Sequence, residues 1–90
     1  MQCFVYRSQR KVDTYLYIAQ RDDFEAVPDV VMKAFGAAEF ALEFELTPER
    51  KLSQGNTVEV MENLNNRGFH LQLPKSDVEQ TILRELINNN

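Results

Sequence analysis

An α+β domain is the fold class this sequence predicts, with elements in the order ββαβαβα. The sheet is expected to have three or four strands, mostly antiparallel or mixed, packed against three helices. Three observations predict it. Short β-forming runs are interleaved with stretches of helical periodicity. Gly, Pro and capping residues punctuate the joins. Ninety residues, 43% apolar and 27% charged, fit one globular unit spanning 1–90.

The first strand is read at Gln2 to Arg7. It is apolar on both faces, Cys3 and Val5 on one and Phe4 and Tyr6 on the other, as in a central strand covered on two sides. Ser8 to Asp13 is a polar hairpin loop. Thr14 to Ala19 is the second strand, sending Tyr15 and Tyr17 to one face and Leu16 and Ile18 to the other. Pro28 suits the first helical position, because its missing N–H costs nothing there. Val30, Val31, Ala34 and Phe35 then recur at helical spacing, and Gly36 can take the left-handed conformation that ends a helix.

Phe40 to Leu46 alternates with the cleanest period of two. Phe40, Leu42, Phe44 and Leu46 are expected on a buried face, with Ala41, Glu43 and Glu45 on a wet one, as in an outer strand. The glutamates discourage edge-to-edge pairing. The second helix is read over Thr57 to Arg67, capped by Asn56 and closed by Gly68, with a stripe of Val58, Met61 and Leu64 and Val60 beside it. Phe69 to Leu73 is the fourth strand, His70 outward or toward a helix and Gln72 outward, stopped by Pro74. Ser76 to Glu79 reads as a capping box for a third helix with Ile82, Leu83, Leu86 and Ile87 on one face. Strand order is open at this level.

Composition narrows the function classes. One cysteine excludes an internal disulfide. The apolar run before Arg7 is too short for a signal peptide, and no run approaches the roughly 20 apolar residues that cross a bilayer. A cytoplasmic location is the expectation. Net charge is −4, which repels nucleic acid at long range. The first hairpin opposes that trend, with Arg7, Arg10 and Lys11 against Asp13.

Three pieces carry a resemblance. They are Cys3-Phe-Val-Tyr-Arg-Ser8 with Lys11 and Thr14-Tyr-Leu-Tyr17; Asp22-Asp-Phe24, Val27-Pro28 and Phe35-Gly36; and Gly68-Phe-His-Leu-Gln-Leu-Pro74. In order and spacing they resemble the YcgL domain family. The resemblance implies a small α/β fold from gammaproteobacterial proteins and assigns no activity.

The chemistry-bearing residues are few. Cys3 as a nucleophile needs a base and a lowered thiol pKa; within an apolar strand it reads as a small core residue. His70, the one histidine, cannot build a typical zinc site with one distant cysteine. Asp22 and Asp23 read as solvated turn residues. Gly36, Gly55 and Gly68 stand alone and form no phosphate-cradling loop. No metal or other cofactor is therefore expected.

The hairpin is the stronger lead. Arg7, Ser8, Arg10 and Lys11 beside Tyr15 and Tyr17 combine cations with aromatic faces, as single-stranded RNA or an acidic peptide requires. Loop cations that are simply solvated, and tyrosines that simply pack, are the plainer reading. Gln72 and Lys75, with His70, extend the candidate set if the fourth strand lies near the first, where Arg7, Tyr17 and Gln72 would share a groove. The expectation is a small binding or adaptor domain engaging a protein or RNA partner, as a monomer. The alternative is an enzyme acting on a small anionic substrate, with His70 as general base and Arg7 or Lys11 holding the anion.

Overall fold

The computed structural model describes residues 1–49 and 56–74. Within them the elements are β1 (Gln2–Ser8), β2 (Tyr15–Ile18), α1 (Asp29–Phe35), β3 (Ala38–Glu45), α2 (Thr57–Arg67) and β4 (Phe69–Gln72). The third helix expected beyond Ser76 lies outside the described residues. The strands form one sheet in the order β3-β1-β2-β4, with every neighbouring pair antiparallel. The α+β class thus stands, and the sheet is antiparallel rather than mixed.

β1 is internal to the sheet and apolar on both faces because each face carries its own core. On one side Tyr6, Leu16, Ile18 and Phe69 pack with Val27 and with Val31 and Phe35 of α1. On the other, Cys3, Val5 and Tyr17 pack with Leu46 and with Val60 and Leu64 of α2. Burial of residues of this size contributes roughly 1.5–3 kcal/mol for each large side chain.

β3 departs from the alternation its sequence displays. Val5 pairs with Leu42 but Tyr6 pairs with Phe40, so the register shifts and Ala41 is the extra residue of a β-bulge. Phe40 consequently joins the α1-side core and Phe44 the α2-side core. Leu42, expected inside, is 47% exposed. Val30 and Val58, expected on the buried helix faces, are also exposed, leaving Val31 with Phe35 and Val60 with Leu64 as the inward pairs. Each inward pair is spaced i, i+4, the spacing that shares one helical face.

The helix ends follow local chemistry. Pro28 sits just before α1 rather than inside it, and its carbonyl accepts from Val31 N–H and Met32 N–H. Asn56 accepts from Val58 N–H at 2.9 Å and Glu59 N–H at 3.3 Å, capping α2. Gly68 closes α2 in the left-handed conformation, φ 85° and ψ 0°. Gly36 has a positive φ of 78° but an extended ψ of −157°, so it turns the chain without the left-handed helical cap.

Candidate functional site

The sheet register sorts the candidate residues onto two faces. Arg7 pairs across to Tyr15, and Tyr15 to Gln72; on the other flank Arg7 pairs with Glu39. Residues directly opposite on neighbouring strands share a face. Glu39, Arg7, Tyr15 and Gln72 therefore form one row across all four strands. Val5, Tyr17 and His70 form the next row, and α2 lies over that same side.

The row is polar and partly open. Arg7 and Glu39 form a salt bridge, with side chains 54% and 45% exposed. Each steadies the other's charge. The Arg7 guanidinium is pushed up, first by its hydrogen bond to Glu39, and the Glu39 carboxyl is pushed down by the same contact. Tyr15 is half-buried beside them. Arg7 is thus a paired cation, not a bare one.

The inner row is committed to the fold. Tyr17 is buried, and its hydroxyl donates to Gln72 Oε1 at 2.7 Å. Burial pushes that phenol up to about 12. The His70 ring meets Tyr17 edge-on, with centroids 5.5 Å apart at 81°. Its Nδ1 lies 2.9 Å from the Asn63 side-chain amide of α2. His70, expected outward or toward a helix, lies half-buried on the α2 side; Gln72, expected outward, lies half-buried on the same face, because α2 returns over it before β4 begins.

Ser8 and Arg10 stand apart from this row. The Ser8 hydroxyl is buried, donates to Phe35 O at 2.6 Å and accepts from Arg10 N–H at 3.1 Å and Lys11 N–H at 2.8 Å. One side chain thereby satisfies both the hairpin turn and the end of α1. Arg10 Nη1 donates to Lys33 O at 2.9 Å, where a cation also meets the negative end of the helix dipole. Lys11 remains at the hairpin tip, and Lys75 lies outside the described residues. The structure therefore brings together Arg7, Tyr15, Tyr17, His70 and Gln72, and directs Ser8 and Arg10 to α1. Glu39 and Asn63 were missed in the sequence. Nothing local marks either residue, since one is chosen by sheet register and the other by the α2–β4 turn.

Cys3 is fully buried, and desolvation raises its thiol to about 12. The nucleophilic thiolate is therefore scarce near neutral pH. Among the described residues, no group of three His, Cys, Asp or Glu side chains is placed to hold a metal ion, and no helix is long and apolar enough to cross a membrane.

Comparison with known proteins agrees with the sequence signature. The pattern of the YcgL domain matches residues 3–75. A YcgL domain-containing protein of Thioalkalivibrio sulfidiphilus is 55% identical over 74 residues, which cover 82% of this chain and 91% of the relative. One from Pseudomonas fluorescens is 43% identical over 90 residues, covering 98% and 93%. One from Xanthomonas oryzae is 49% identical over 78 residues, covering 87% and 91%. These names specify a domain and no reaction. The matched stretch runs from Cys3 in β1 through the end of β4, so it contains both cores and the whole Glu39–Arg7–Tyr15–Gln72 row, and the chain belongs to the YcgL domain family.

Proposed function

We propose that this chain is a non-catalytic binding domain that engages a protein partner through the open end of the α2-side sheet face, around Arg7, Tyr15 and Gln72. The observation that carries the reading is the row itself. A salt-bridged arginine, a half-buried tyrosine and a glutamine stand on adjacent strands of a rigid sheet. Arg and Tyr are the residue types that anchor protein interfaces, and strands hold them at fixed spacing. The neutralised Arg7–Glu39 pair and the net charge of −4 favour a protein over RNA.

An enzymatic reading with His70 as base has less behind it. One ring nitrogen faces Asn63, the ring packs on Tyr17, and the thiol on the same face is protonated. A monomer is the proposed state. Among the described residues, the exposed large apolar side chains Val12, Val30, Leu42 and Val58 fall on the hairpin, α1, β3 and α2, one to each, with no broad patch among them.

The test places a photo-crosslinking residue at Tyr15 and, as a control, at Val30 on α1, in the native cell. Protein adducts specific to position 15, lost on Arg7→Ala, support the surface. Identical adducts from both positions, or adducts indifferent to Arg7→Ala, remove it. Adducts that are RNA, and whose yield falls steeply with salt, replace the protein reading with the nucleic-acid one.

A further inference from the structure

We draw no further inference here: the strongest candidate, the α2-side sheet face where Leu42 stands exposed opposite Val5, adjoins the surface already proposed, and nothing in the structure shows what covers it.

Discussion

Phe40 and Phe44 sit four residues apart on one strand and pack on opposite faces of the sheet. In a regular strand that spacing keeps both on one face. The bulge at Ala41 turns the strand between them, letting β3 supply an aromatic ring to each core. Deleting Ala41 restores the regular alternation and must strip one ring from its core. The expected cost is up to about 3 kcal/mol, the transfer value of a phenylalanine side chain. Urea unfolding measures it, and a midpoint equal to that of the parent chain would refute the role assigned to the bulge.

Gly68 is expected to resist substitution. It holds φ 85°, and a Cβ there would come within 2.6 Å of the Ala26 Cβ. Gly68→Ala should destabilise by more than about 1 kcal/mol, the lower end of the left-handed penalty. Adding Ala26→Gly removes the collision and leaves the backbone strain. The double variant should therefore recover part of the loss and not all of it. Full recovery would mean that the conformation costs nothing.

The Tyr6 hydroxyl both donates to Asp22 Oδ1 and accepts from Asp22 N–H, each at 2.7 Å. Asp22 has φ 61°, and Phe24 meets the Tyr6 ring edge-on at 4.8 Å. The loop before α1 is thus fastened to the sheet by one phenol. Tyr6→Phe keeps the ring contacts and removes both hydrogen bonds. A loss of about 1–3 kcal/mol follows if the Asp22 groups find no equivalent partner. Thermal unfolding reads the loss, and faster amide exchange confined to residues 20–25 would localise it.

Ser8→Ala and Arg7→Ala should separate fold from surface. Ser8→Ala deletes three hydrogen bonds at a buried hydroxyl and should lower stability by about 1–3 kcal/mol. Arg7→Ala removes an exposed ion pair and should leave the unfolding midpoint nearly unchanged while reducing crosslinking at Tyr15. If Arg7→Ala unfolds the domain, the row is holding the sheet together and its exposure is incidental.

Alkaline pH should weaken the fold. The Cys3 thiol rises from 9.0 to about 12, and the Tyr17 phenol from 10.0 to about 12. Both are neutral when protonated, and the folded state holds those protons more tightly. Their stabilising contribution is complete below pH 9.0 and declines as pH rises toward about 12, because the unfolded chain then binds fewer protons. Denaturant midpoints from pH 8 to 11 should fall across that window, and Cys3→Ala should flatten the part that begins first. In the same range the native thiol should react slowly with iodoacetamide and quickly in denaturant.

The sequence by itself determined the described element types, their order, the Asn56 cap and the two-faced apolar pattern of β1. These depend on neighbours within a few residues, through periodicity, capping and turn chemistry. It also carried the family signature. Tertiary structure alone decided which strands are neighbours, and hence that Arg7, Tyr15 and Gln72 stand in one row with Glu39. It decided that Ser8 and Arg10 serve α1. It also overruled the alternation of Phe40 to Leu46, since a strand that borders two cores can bulge to feed both. Which distant segments pair is selected by the packing of the whole domain, whereas a strand's own pattern marks only whether it lies inside the sheet or at its edge.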